Sequence, residues 1–121
     1  MEKEFISYEQ ALALKELVFD EPCLGYYLTS TLFISNDVVY NSTDFPVIKA
    51  PLYQQVFRWF RDKYELYHEI IREKGINDSS YIRFIPIIQF KIKKKVLYTP
   101  SSTYEEAELK CLNKLIELTK K

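Results

Sequence analysis

An α+β fold, an antiparallel sheet of three to five strands with three helices packed on it in two layers, follows from three observations on the sequence. Ser7 with Gln10 and Thr103 with Glu106 are capping boxes, and each opens an apolar stripe of helical period near one end of the chain. A third stripe, led by a proline and rich in aromatic residues, runs from Pro51 to Tyr64. Between these helices lie stretches of period two, the clearest from Ile82 to Tyr98. Helix, strand or hairpin, helix, two or three strands, helix is an order most economically met by helices on one face of an antiparallel sheet.

The first helix is expected over about 8 to 18, where Tyr8, Ala11, Leu12, Leu14 and Leu17 share one side. Asp20, Glu21 and Pro22 should stop it, because proline lacks the amide donor and disfavours helix in the residue before it. From Cys23 to Ile34, Leu24, Tyr26 and Leu28 alternate with Gly25, Tyr27 and Thr29, the period of one half-buried strand. Ser35-Asn36-Asp37 carries turn chemistry, which would return Val38-Val39-Tyr40 as a hairpin partner. Asn41 to Ala50 reads as an irregular connection.

Pro51 suits the first position of the second helix, about 51 to 64, with Leu52, Val56, Trp59, Phe60 and Lys63 or Tyr64 on its packed face. Leu66 to Lys74 alternates imperfectly, and we read it as a strand although EIIREK also suits a helix. Gly75 to Ser80 is a turn by composition. In the stretch from Ile82 to Tyr98, Ile82, Phe84, Ile88, Phe90, Ile92, Val96 and Tyr98 fall on even numbers and Arg83, Gln89, Lys91, Lys93 and Lys95 on odd ones, as in a strand or a hairpin bent near Lys93 and Lys94. Pro86 cannot donate to a ladder and argues there for an edge strand or a bulge. The last helix carries Tyr104, Ala107, Cys111, Leu112, Leu115, Ile116 and Leu118, with acids in its first turns and lysines at its end, as the helix dipole favours.

The 121 residues suit one domain, 1–121, and 47% apolar composition supplies its core without disulfides or metal. Seventeen basic and seventeen acidic residues leave no net field toward nucleic acid or an anionic membrane. Cys23 and Cys111 lack paired spacing and read as reduced structural thiols. The acidic, polar start MEKEFISYEQ does not read as a signal peptide, and no apolar run approaches the roughly 20 residues of a membrane helix. A cytoplasmic protein with no membrane partner is expected.

The blocks FISYEQALALKEL with FDEPCLGYY, APLYQQVFRWFRDKYELYHEI and TYEEAELKCLNKLIEL cover about half of the chain. In wording and order they resemble a family of short uncharacterised proteins from phages and prophages of the Bacteroidota. The resemblance implies a phage-associated accessory protein of the bacterial host's cytoplasm and carries no catalytic motif with it.

The residues themselves mark no catalytic site. His68 is the single histidine and lacks marked partners. Asp20 and Glu21 before a proline are ordinary at a helix end. Gly25 and Gly75 stand alone, so no phosphate loop is formed, and no zinc pattern, nucleophile elbow or implied cofactor is present. The second helix offers more aromatic residues than one stripe absorbs, which places Tyr53, Phe57, Arg61 and Tyr64 on a second flank for an unidentified protein partner. Self-association through this helix or an edge strand would make a homodimer. Two alternatives stand beside this binding-module reading. In one, Lys91, Lys93, Lys94 and Lys95 with Arg83 contact nucleic-acid phosphates while Tyr81 or Tyr98 stacks a base; the same lysines would equally keep an edge strand from pairing with other chains. In the other, an enzyme of unrecognised type is built around His68.

Overall fold

The computed structural model describes residues 2–39, 48–74, 82–91 and 94–120. Among them are three α-helices and six strands in two antiparallel three-stranded sheets, so the α+β class holds while the strands divide between two sheets. The contacts cluster into two compact units, the first running to Val56 and the second from Phe57 to Thr119.

The first unit opens with a short 3-10 turn, Glu2–Glu4, and helix α1, Tyr8–Glu16. Its capping box forms as the sequence indicates: Ser7 Oγ accepts from Gln10 N at 3.2 Å, and Gln10 Oε1 accepts from Ser7 N at 3.1 Å. The helix ends before the expected acidic stop. Phe19 N donates to Leu14 O and Val18 N to Lys15 O, which closes a C-terminal turn that puts Val18 at φ 62°. Glycine usually fills that position, and a valine there gives no sequence signal.

Strands β1, Cys23–Leu28, and β2, Thr31–Val39, replace the single expected strand with a hairpin. Its turn is Thr29-Ser30, both at positive φ (48° and 70°), the pair of left-handed residues that a two-residue type I′ connection needs. Ser35-Asn36-Asp37 is not the turn. Cys23 pairs with Val39 but Gly25 pairs with Ile34, so four residues of β2 face one of β1, and the polar segment lies within this irregularity. Strand β3, Ile48–Ala50, pairs with the other side of β1. The Gly25 backbone passes so close to its neighbours that an added Cβ would lie 2.7 Å from Ala50 O and from two carbons of the Phe5 ring. On the same inner face the Tyr27 hydroxyl donates to Ile6 O at 2.8 Å, and its ring meets Tyr8 edge-on.

Helix α2, Tyr53–Tyr64, contributes its first turn to the first unit and the rest to the second. Pro51 stands two residues before it instead of in its first position. Leu52 O accepts the first helical bond, from Val56 N, while Pro51 O accepts from Ile6 N.

In the second unit β4, Tyr67–Lys74, β5, Ile82–Gln89, and β6, Lys95–Leu97, form a sheet in that order. Pro86 therefore sits in a central strand, and only the bulge reading of it holds. Pro86 O accepts from Tyr98 N, whereas Phe84 exchanges both bonds with Ser101, a pairing shifted by one residue. The ladder steps beside the proline, where its missing donor falls. Helix α3, Tyr104–Thr119, begins with Thr103 Oγ1 accepting from Glu106 N and packs on β5, burying Ala107, Cys111, Leu112, Leu115 and Ile116. The turn expected at Gly75 to Ser80, most of the 41–50 connection, Tyr40 and Tyr81 lie outside the described residues.

Candidate binding surfaces

The flank expected on α2 is divided by the fold. Tyr53 and Phe57 are 6% and 2% exposed, so neither is part of an open surface. The Tyr53 hydroxyl donates to Gln10 Oε1 at 3.1 Å, and Phe57 stacks on His68 with ring centroids 3.7 Å apart. Arg61 is exposed beside Asp62. Tyr64 is half-buried against the edge of Trp59, and Lys63 Nζ lies 5.0 Å from the Trp59 ring. The helix buries more than one stripe, with Tyr53, Val56, Phe57, Trp59 and Phe60 all internal, which absorbs the aromatic surplus that the sequence suggested was available for a partner.

His68 is a packing residue in this arrangement. Burial against Phe57, reinforced by the positive charge of Arg61, lowers its pKa to about 4, so the ring is neutral at physiological pH. Glu21 and its neighbours are likewise structural: Gln55 Nε2 donates to Glu21 Oε1 and to Pro22 O, and Lys49 Nζ donates to Glu21 O at 2.8 Å. Burial pushes both thiols, Cys23 and Cys111, up to about 12, which keeps them protonated and poor nucleophiles. No group of three His, Cys, Asp or Glu side chains that could hold a metal occurs among the described residues.

Arg83, Lys91 and Lys95 each lie next to an acid. By register Tyr67, Glu69, Ile71 and Glu73 share a face with Arg83, Ile85, Ile87 and Gln89 and with Lys95 and Leu97. Arg83 Nε donates to Glu73 Oε1 at 2.8 Å, Lys95 Nζ is 3.9 Å from Glu69 Oε2, and Lys91 Nζ is 3.0 Å from Glu65 Oε2. Lys93 lies outside the described residues. Three of the basic groups expected to meet phosphates thus have carboxylates beside them, which lowers the local positive potential.

A surface missed by the sequence reading lies on the first sheet. Opposite the inner face of Cys23, Gly25 and Tyr27, the alternation of β1 and the pairing of Tyr26 with Phe33 and Lys49 put Leu24, Tyr26, Leu28, Phe33 and Lys49 on one outer face. Leu24 and Phe33 are 40% and 43% exposed, and Tyr26 and Leu28 are half-buried. The Tyr26 and Phe33 rings stack at 5.5 Å with 16° between their planes. The alternation of β1 was legible in the sequence, but its opposite face there carries glycine and tyrosine, so nothing marked which face would stay open.

Comparison with known proteins finds no matching family model, no matching curated protein and no matching solved structure. Among the described residues no helix is long and apolar enough to cross a membrane.

Proposed function

We propose that this protein is a non-enzymatic binding module, an accessory protein of phage or prophage that engages a host or phage protein in the bacterial cytoplasm. The observation that carries the reading is the outer face of the first sheet. Leu24, Tyr26, Leu28 and Phe33 form a contiguous apolar patch, and the stacked Tyr26–Phe33 pair offers rigid aromatic area at low entropic cost. The phage context rests on the three sequence blocks described above.

Affinity capture of the tagged protein from infected and uninfected lysates, with and without nuclease, tests this beside a Phe33→Glu variant. A nuclease-resistant protein partner that the variant loses is the expected result. Recovery of only nuclease-sensitive, salt-labile material would overturn it in favour of nucleic-acid binding through Arg83, Lys91 and Lys95.

A further inference from the structure

The edges of the two sheets differ in what they offer another chain. Strands β3 and β6 are three residues long, and β2 is broken by the irregularity between Ile34 and Val39. Strand β4 is eight residues long and pairs with β5 in one unbroken register, from Tyr67 with Gln89 to Lys74 with Ile82. Its other edge has no partner strand among the described residues. Pro86 and Phe84 show which backbone groups lie on that edge. Pro86 O accepts from Tyr98 N, and Phe84 exchanges both its bonds with Ser101, so these two residues direct their backbone groups away from β4. Ile70 and Arg72, which face them, are therefore at non-hydrogen-bonded positions of the β4–β5 ladder. By alternation His68, Ile70, Arg72 and Lys74 turn their N–H and C=O groups to the free edge, while Tyr67, Glu69, Ile71 and Glu73 bond theirs to β5.

We propose that this edge takes an extended acidic segment of another protein as a further, antiparallel strand. A row of outward N–H and C=O groups at alternate residues is the complement of an extended backbone. The side chains select the chemistry of that backbone. The same four residues share one face of β4, and this face ends in the exposed cations Arg72 and Lys74. Neither has an ion pair among the described residues. The strand's acids Glu69 and Glu73 lie on the opposite face, already set against Lys95 and Arg83, so the uncompensated charge at this edge is positive. Charge of one sign discourages indiscriminate strand pairing, and here it admits a strand that carries acids opposite Arg72 and Lys74. Toward the start of β4, the half-buried His68 and Ile70 and the exposed Tyr67 and Ile71 call for apolar residues. The antiparallel direction is that of both pairings in this sheet.

This edge is distinct from the patch on the first sheet, and its test is independent of partner capture. The probe is the blocked peptide ETEVVTVY, whose glutamates stand opposite Lys74 and Arg72 in antiparallel pairing. It is added to the full chain up to about 1 mM, the range of weak single-segment contacts. Nuclear magnetic resonance is expected to show saturable binding. Hydrogen exchange slows at the amides of His68, Ile70, Arg72 and Lys74 and is unchanged at Tyr67, Glu69, Ile71 and Glu73, which are already bonded. The peptide KTKVVTVY binds at least about tenfold more weakly, a comparison that needs no variant protein. Arg72→Glu with Lys74→Glu, both at exposed positions and checked for folding by circular dichroism, reverses that preference, and Phe33→Glu on the first sheet leaves binding unchanged. Absence of binding overturns the proposal. So does binding that ignores the sign of the peptide's charge, depends on Phe33 or protects other amides. Protection of the same four amides in the free chain as its concentration rises overturns it in favour of a second copy.

Discussion

The two sheets have the same strand count and the same antiparallel pairing, yet they treat their outer faces differently. The first leaves Leu24, Tyr26, Leu28 and Phe33 open beside Lys49, whose ammonium turns away to Glu21 O. The second passes an ion pair over its central strand and sets Glu73 against Arg83 beside it. An exposed pair of that kind contributes little to stability, roughly 0–1 kcal/mol. Its larger effect is to place charge where apolar contact would otherwise be unselective. The difference teaches that a three-stranded sheet with one packed face can keep its other face open to any apolar partner, or sort charge across it and narrow the choice.

The inner faces differ too, and substitutions there sharpen the comparison. The first unit is built on close backbone approach, so Gly25→Ala is expected to have the largest effect. The new Cβ meets Ala50 O, a backbone atom of the neighbouring strand, and the buried Phe5 ring at 2.7 Å, so the strand or the ring must shift. A loss of about 3 kcal/mol, read by urea denaturation, is expected. An unchanged midpoint would mean that the strands of the first sheet are not packed as described.

Val18→Gly acts in the same unit with the opposite sign. The valine holds φ 62° and is 71% exposed, so its removal relieves left-handed strain and loses little packing. A gain of about 1 kcal/mol, the strain less the added chain entropy of glycine, is expected in the same measurement.

The second unit depends instead on a ring stack, and pH probes it. His68 takes up its proton only near pH 4 in the folded chain but near its ordinary 6.5 when unfolded. Above 6.5 neither state binds the proton, and stability is full. As pH falls from 6.5 to about 4 the unfolded state binds a proton that the folded state refuses, and stability declines. The decline is on the order of 1 kcal/mol once the solvent-facing part of the ring is allowed for. His68→Phe keeps a stacking ring without the proton, so the difference between the two proteins' stability–pH curves isolates this group. Parallel curves would show that the ring is not held against Phe57 as described.

Elements whose signal is local were legible in the sequence. The Ser7–Gln10 box, the start of α3 at Thr103, the strand character of Leu66 to Lys74 and the break between β5 and β6 all follow from side chains within a few residues of one another. Misreadings came where the backbone does something that its residues do not advertise. Thr29-Ser30 turns the first hairpin without glycine or asparagine, Val18 ends α1 in a conformation valines avoid, and Pro86 occupies a central strand because the neighbouring ladder steps at that point. In each case pairing across the sheet or packing around the turn outweighs a local preference of about 1–2 kcal/mol.

The candidate site was less legible than the fold, because sequence shows which residues are apolar but not which apolar face remains uncovered. Tyr53 and Phe57 looked available and are internal; Leu24 and Phe33 looked like ordinary strand residues and are exposed. By itself the sequence determined the α+β class, the helices and most of the strands, since capping, periodicity and proline act over short range. Only the tertiary structure decided that there are two sheets, that His68 is neutral and stacked, and which faces are left to meet a partner. Those outcomes depend on contacts between residues distant in the chain, such as Gly25 with Ala50 and Glu69 with Lys95, and on the burial those contacts create.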